Sequence, residues 1–214
     1  VNGSRLLFWV GGVLFIAYVM TQHWAEKLVD SLLFNGFIKE CDKEIYSYHI
    51  QILLEKIIGF SVIFLISFWI KKVGQTILFV FYFSCIRKRA GGFHANSFIG
   101  CFIGTIGIYV VYSYLIFLFL TKHMCINITL VIAATIIIEI IGAVNHPNME
   151  WSRKEYENSQ RIARIIAVIE CGSILIFFFV KIETSYILYM SFGIILSAIL
   201  LALGKIIGQE VKAV

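Results

Sequence analysis

The sequence predicts an all-α integral membrane protein, with about six transmembrane helices preceded by an amphipathic surface helix. Of its 214 residues, 60% are hydrophobic and only 14% are charged. A soluble domain carries about 25% charged residues, and no soluble fold of this length hides so much apolar surface. The apolar runs are rich in Ile, Leu, Phe and Val and lack the alternation of a β-barrel, so they predict helices.

The N-terminal part of the chain differs from the rest. Residues 1–19 contain a short apolar run, which fits a marginal span, an interfacial helix, a signal-like segment or an N-terminal extension that is either upstream or non-native sequence. We expect the extension. Residues 20–49 predict an amphipathic helical region, in which Trp24, Leu28 and Leu32 follow one stripe. This region fits a helix on the membrane surface and equally a helix packed under the bundle.

Six apolar segments form the predicted membrane domain, residues 50–205, which a tail over residues 206–214 follows. The segments run over about 50–70, 73–86, 98–120, 124–144, 162–180 and 184–203. Most connections are short, and the two exceptions are residues 87–97 and 145–161, which are predicted to be loops. An even number of spans from residue 50 onward puts both ends of the domain on one side of the membrane.

The Lys and Arg residues predict which side that is, because cytoplasmic loops carry an excess of them. Four of these residues fall on the side opposite the two long loops: Lys71, Lys72, Lys122 and Lys181. Twelve fall on the side of the two long loops: Lys27, Lys39, Lys43, Arg87, Lys88, Arg89, Arg153, Lys154, Arg161, Arg164, Lys205 and Lys212. The sequence therefore predicts that both loops face the cytoplasm of a multi-pass cell-membrane protein.

Some classes of protein are disfavoured. The net charge of +5 is too small to indicate a nucleic-acid partner. The five cysteines are scattered without a CxxC pair, so neither a disulfide framework nor a zinc site is predicted.

The stretch "RKRAGGFHANSFIGC", residues 87–101, is the strongest candidate for chemistry. In one straight helix, His94 and Cys101 would lie ~10.5 Å apart along the axis, too far for a hydrogen bond. Asn96 and Ser97 are good N-cap residues directly before an apolar run. His94 is therefore predicted in a glycine-hinged loop, with Cys101 in the first turns of the next span.

Cys101 has the features of an activated thiol. A helix N-terminus and nearby cations favour the thiolate, and a histidine can act as its base. Gly100 would let a substrate backbone approach closely. The alternative is that Cys101 is a small buried hydrophobe and that the basic cluster only sets topology. Cys85 is a rival nucleophile, but it lies at the end of a span, where the helix dipole opposes a thiolate.

With Arg and Gly upstream of a His that precedes a Cys by seven residues, this stretch resembles the accessory gene regulator B family. Members are membrane cysteine endopeptidases that process the autoinducing-peptide precursor in Gram-positive quorum sensing. The resemblance covers the chain from about Met20 to its C-terminus in length, span count and loop placement. It implies that His94 is the catalytic histidine and Cys101 the nucleophile.

The resemblance also implies supporting positions. Arg87 and Gly92 match family positions near the site, as charge support and for loop conformation. This chain departs from the family around the motif at Arg89, Phe93 and Asn96, where additional His or a Pro is common. No acidic third member is evident, so the resemblance implies a dyad.

The resemblance further implies the reaction and the partners. Cys101 would form a thioester with the precursor after its C-terminal tail leaves, and an internal side chain would close a thiolactone or lactone. The partners would be the precursor and the lipid bilayer, with a homodimer compatible and no metal or cofactor implied. The basic residues Arg153, Lys154, Arg161 and Arg164 would suit an acidic tail, or lipid headgroups.

A different class of function stays open. Glu139 and Glu170 lie inside predicted spans, where a carboxylate is costly and is therefore a functional candidate. They would suit a small transporter or a peptide-export partner. The structural alternative, a polar contact between helices, is the reading we favour for both residues.

Overall fold

A computed structural model of the chain describes residues 22–93, 98–145 and 151–209. Within these ranges the regular structure is helical, apart from a single parallel bridge between Gly91 and Val144. The predicted extension at residues 1–19 and the last five residues of the predicted tail lie outside the described residues.

Across the described ranges, eight α-helices follow one another, with one 3-10 turn and one π-helical turn between them. They are α1 (22–34), a 3-10 turn (Glu40–Asp42), α2 (Lys43–Trp69), α3 (Val73–Ala90), α4 (Phe98–Val111), a π-helical turn (Tyr112–Ile116), α5 (Phe117–Lys122), α6 (Met124–Ile141), α7 (Arg153–Phe179) and α8 (Thr184–Ile206).

The helices coincide with the predicted apolar segments. In the described part of the chain, four are long and apolar enough to cross a membrane: Gly100–Lys122, which joins α4 to α5, and then Met124–Ile141, Arg153–Phe179 and Thr184–Ile206. Helix α3 differs because its last turn carries Arg87, Lys88 and Arg89. The structure therefore gives a helical membrane protein, with four candidate spans among the residues it describes.

Several helices extend beyond their predicted bounds, and α2, α3 and α7 do so by the most. Helix α2 begins at Lys43 rather than near residue 50. Helix α3 continues through the basic cluster to Ala90, since cations are favoured in the last turn of a helix. Helix α7 begins at Arg153, so much of the predicted 145–161 loop is helical. A capping box stabilises this start, because Ser152 and Glu155 satisfy each other's backbone N–H groups.

Helix α1 is shorter than the predicted amphipathic stretch and buries a neighbouring stripe. It ends at residue 34 because Gly36, with φ of 73°, terminates it, and the N–H of Phe37 bonds to the carbonyl of Leu32 at 3.0 Å. Ala25 and Val29 are fully buried, whereas Trp24 is 56% exposed. The buried face of α1 therefore lies one position along from the predicted stripe, of which Trp24 and Leu28 are exposed.

The chain forms two compact units, residues 1–66 with 95–109 and residues 67–94 with 110–214. In the second unit α8 is the central helix, packed against α3, α5, α6 and α7. Small residues allow this packing: a Cβ on Gly193 would lie 2.8 Å from the Cβ of Tyr82. Asn127 adds a polar contact, since its amide donates to the Ser191 hydroxyl at 2.9 Å.

The π-helical turn is fixed to α8 by aromatic residues. The hydroxyl of Tyr112 donates to the carbonyl of Leu188 at 2.6 Å, and its ring stacks on Phe192 with centroids 3.7 Å apart. Nearby, the Lys72 ammonium lies 3.0 Å from the centroid of the Phe117 ring. Burial lowers the pKa of Lys72, and the Glu183 carboxylate opposes this effect.

Candidate active site

The segment after α3 is held on two sides by backbone hydrogen bonds. Its glycines leave the helical conformation, with φ of 65° at Gly91 and 107° at Gly92. On one side, the N–H of Val144 donates to the carbonyl of Ala90 at 2.8 Å. On the other side, the N–H of Phe93 donates to the carbonyl of Leu200 in α8, also at 2.8 Å. The chain is therefore fixed up to the residue that directly precedes His94 in sequence.

Arg87 closes this segment into a compact turn. Its two terminal guanidinium nitrogens, Nη1 and Nη2, donate to the carbonyls of Gly91 and Phe93 respectively. The fork of the guanidinium suits two acceptors on one chain, which a lysine ammonium cannot bind in the same way. Arg87 thus supports the loop through its carbonyls, and this contact is more specific than the charge support expected from the sequence.

Gly92 is required by both conformation and space. Its positive φ is a region that L side chains rarely adopt. A Cβ at this position would lie 2.5 Å from Nη1 of Arg87 and 2.9 Å from the carbonyl oxygen of Leu200. The loop therefore brings Arg87 and Gly92 together.

The two central residues of the motif are His94 and Cys101. His94 and Ser97 lie outside the described residues. Cys101 lies in the first turn of α4, as predicted, and its thiol is free and exposed. Gly100 beside it is exposed too. A thiol in the first turn of a helix lies at the positive end of the helix dipole.

The other cysteines provide a comparison. All five are free; Cys85 and Cys171 are half-buried, whereas Cys41 and Cys125 are exposed. Cys85 lies near the C-terminal end of α3, where the dipole disfavours a thiolate. Cys125 is the second residue of α6, so it shares exposure and position at a helix start with Cys101 but has no comparable motif.

The four basic residues proposed for the acidic tail lie on a helix instead of a loop. Arg153, Lys154 and Arg161 are exposed on the first turns of α7, and Arg153 pairs with Glu157 at 3.3 Å. Arg164 is half-buried, and its Nε has no hydrogen-bond partner among the described residues. Three of the four are therefore exposed, and one of these, Arg153, is already paired with Glu157.

Neither of the two carboxylates proposed for a transporter, Glu139 and Glu170, forms an ion pair within the described residues. Glu170 in α7 is only 5% exposed, and both of its carboxyl oxygens lack a hydrogen-bond partner among the described residues. Glu139 in α6 is half-buried, with one buried unpartnered oxygen. The hydroxyl of Ser173 donates to the backbone carbonyl of Glu170 and not to its carboxylate.

Sequence reasoning missed the residues that hold the loop from outside the motif. Val144 and Leu200 act through their backbones, so no side-chain pattern reveals them. Gly204, which also faces the loop, reads in the sequence as an ordinary glycine near the end of the last apolar segment. The packing of α8 against the loop identifies Leu200 and Gly204, and the backbone bond to Ala90 identifies Val144.

The apolar helices define a helical membrane protein, and the exposed thiol of Cys101 makes it a cysteine-bearing one. The chain belongs to the accessory gene regulator B family, whose family model matches residues 21–201. Searches of curated proteins and of solved structures found no match. Membership supports a role in quorum sensing, in the processing of an autoinducing-peptide precursor at the membrane.

Proposed function

We propose that this protein is a membrane cysteine endopeptidase that removes the C-terminal tail of an autoinducing-peptide precursor, with Cys101 as nucleophile and His94 as its base. One observation carries the proposal: a free, exposed thiol in the first turn of α4, within the family-matched region and seven residues after His94. The histidine would act as the base that activates the thiol.

The proposed reaction has two steps. In the first, His94 takes the proton of Cys101, the thiolate attacks the carbonyl at the junction of ring segment and tail, and the tail amine leaves with that proton. In the second, an internal Cys or Ser side chain of the peptide attacks the thioester. A thiolactone or lactone is released and the Cys101 thiol returns. The thioester keeps the acyl group activated, so ring closure needs no ATP.

The proposed topology places this chemistry at the inner leaflet. Six apolar segments cross the membrane: α2, α3, α4 together with α5, α6, α7 and α8. The segments after α3 and α6 face the cytoplasm, as the excess of Lys and Arg on that side indicates. Helix α1 lies along the membrane surface, where Trp24 and Leu28 would contact lipid. Exclusion of water at this boundary would favour cyclisation over hydrolysis of the thioester.

The exposed cations at the start of α7 would receive the acidic tail. Arg153, Lys154 and Arg161 extend over the first turns of the helix, and exposed charges of this kind act mainly on encounter and orientation. Their contribution should therefore weaken as the salt concentration rises.

The test is cleavage of a synthetic precursor by the purified protein in lipid vesicles. Cys101→Ala should lower the cleavage rate at least about 10³-fold, as removal of a nucleophile does in other proteases. Cys125→Ala is the matched control, because it removes another exposed thiol from the start of a helix, and it should cleave normally. Persistent cleavage in Cys101→Ala would overturn the mechanism, whereas loss in Cys101→Ala but not in His94→Ala would remove only the dyad.

A further inference from the structure

The last turns of α8 touch the backbone of the candidate-site loop. A Cβ placed on Gly204 would lie 2.6 Å from the backbone nitrogen of Phe93 and 2.8 Å from the carbonyl carbon of Gly92. In the reverse direction, a Cβ on Gly92 would lie 2.9 Å from the Cα of Leu201. Real Cβ atoms essentially never come this close, so both backbones meet here only because both positions are glycine.

The glycine at position 204 is not explained by the end of the helix. Helix α8 continues to Ile206, and the residue with positive φ that follows it is Gly208. A glycine inside a helix is destabilising relative to alanine. At Gly204 the missing side chain allows two backbones to approach closely. Beside it, the N–H of Phe93 donates to the carbonyl of Leu200 at 2.8 Å.

We propose that Gly204 is a positioning residue for the reaction, through which the C-terminal turns of α8 set the place where the chain leaves for His94. This inference rests on the proposed function, since it assigns Gly204 to the same site. Gly204 does not touch the reacting atoms. It acts through Gly92 and Phe93, the two residues before the histidine, and so couples the final helix to the geometry of the base.

The chain contains a matched control for this role. Gly193 lies in the same helix, and a Cβ there would lie 2.8 Å from the Cβ of Tyr82 and 2.9 Å from the backbone nitrogen of Phe83, within α3. The steric conflict in Gly193→Ala is therefore similar to that in Gly204→Ala, but it falls away from the loop. Gly172 in α7 meets nothing within 4 Å and serves as the benchmark for a tolerated substitution.

The experiment compares Gly204→Ala, Gly193→Ala and Gly172→Ala in lipid by hydrogen exchange, by precursor cleavage and by peptide-resolved alkylation of Cys101 with iodoacetamide. In Gly204→Ala we expect faster amide exchange at Gly92 and Phe93, a lower kcat with unchanged KM, and alkylation at pH 7 slowed about tenfold toward the rate in His94→Ala. In Gly193→Ala thermal stability should fall, while exchange in the loop and alkylation of Cys101 stay as in the parent protein.

Three results would overturn the proposal: Gly204→Ala with parental loop exchange, Gly204→Ala with parental kcat, or equal loss of kcat and alkylation in Gly193→Ala. If Gly204→Ala fails to fold, hydrogen exchange in the parent protein provides the test instead. An unprotected Phe93 amide would exclude the contact between α8 and the loop, here called the docking contact. A parent protein that shows the docking contact but neither cleaves the precursor nor reacts at Cys101 would refute the proposed function separately.

Discussion

The backbone N–H of Val144 donates to the carbonyl of Ala90 at 2.8 Å, so the segment after α6 pairs with the segment after α3. The bridge between Gly91 and Val144 is parallel, and both segments therefore leave it in the same direction. The two connections predicted from the sequence as separate cytoplasmic loops thus begin side by side. This pairing supports the proposal that both contribute to one face of the molecule.

Arg87→Lys should impair cleavage nearly as much as Arg87→Ala. Lysine keeps the positive charge but cannot reproduce the fork that binds the carbonyls of Gly91 and Phe93. Each charge-assisted hydrogen bond contributes about 1.5–3 kcal/mol, so both variants should also lose protection of the loop in hydrogen exchange. Full cleavage by Arg87→Lys would show that only the charge matters.

Glu170→Gln should preserve cleavage and leave the thermal stability of the protein unchanged or higher. The carboxyl is buried without a hydrogen-bond partner in the described chain, and a charge inside a membrane helix is costly. The double variant with Glu139→Gln extends the test to the transporter alternative. Loss of function in the double variant, together with full function in Cys101→Ala, would favour that alternative over the peptidase.

Lys181→Gly should stabilise the protein. Lys181 has φ of 60° and ends α7 in a motif that usually carries glycine, with the N–H of Ile182 bonded to the carbonyl of Phe177 at 3.0 Å. The left-handed conformation costs a non-glycine residue about 1–2 kcal/mol, part of which the greater flexibility of unfolded glycine offsets. The midpoint of thermal unfolding in detergent should rise.

Lys71, with φ of 56° after α2, allows the same exchange at a second turn. Lys71→Gly is therefore the internal replicate, and Lys122→Gly, inside the end of α5, is the opposite control that should destabilise. A lower midpoint in both Lys181→Gly and Lys71→Gly would contradict the strain at these turns.

Much of the helical framework was predictable from apolar runs, since each predicted segment contains a helix. The ends of helices were less predictable, because polar residues such as Arg89 and Tyr156 carry no apolar signal even though they are helical. Helix α1 shows a second difficulty, which concerns burial. Trp24 has the larger apolar side chain, yet it is exposed and its neighbour Ala25 is buried. Apolar composition predicts burial poorly in a protein whose outer surface meets lipid.

The candidate site was predictable to the extent that its residues are close in sequence. Arg87 and Gly92 share a short motif, and the structure places them in contact. Gly204 contacts the same loop through tertiary packing, and Val144 contacts it through a backbone hydrogen bond. A single sequence reveals neither contact. The family match adds that the motif lies within a chain related over residues 21–201.

The most direct test of the central claim is the intact mass of the protein after brief mixing with the precursor peptide in lipid, followed by acid quench and peptide mapping. The proposed mechanism predicts an added mass equal to the precursor without its C-terminal tail, attached to Cys101 and released by hydroxylamine. Accumulation should increase when the internal nucleophile of the peptide is replaced by alanine. Tail release without any adduct on Cys101 under that condition, or an adduct on Cys85 instead, would contradict the account.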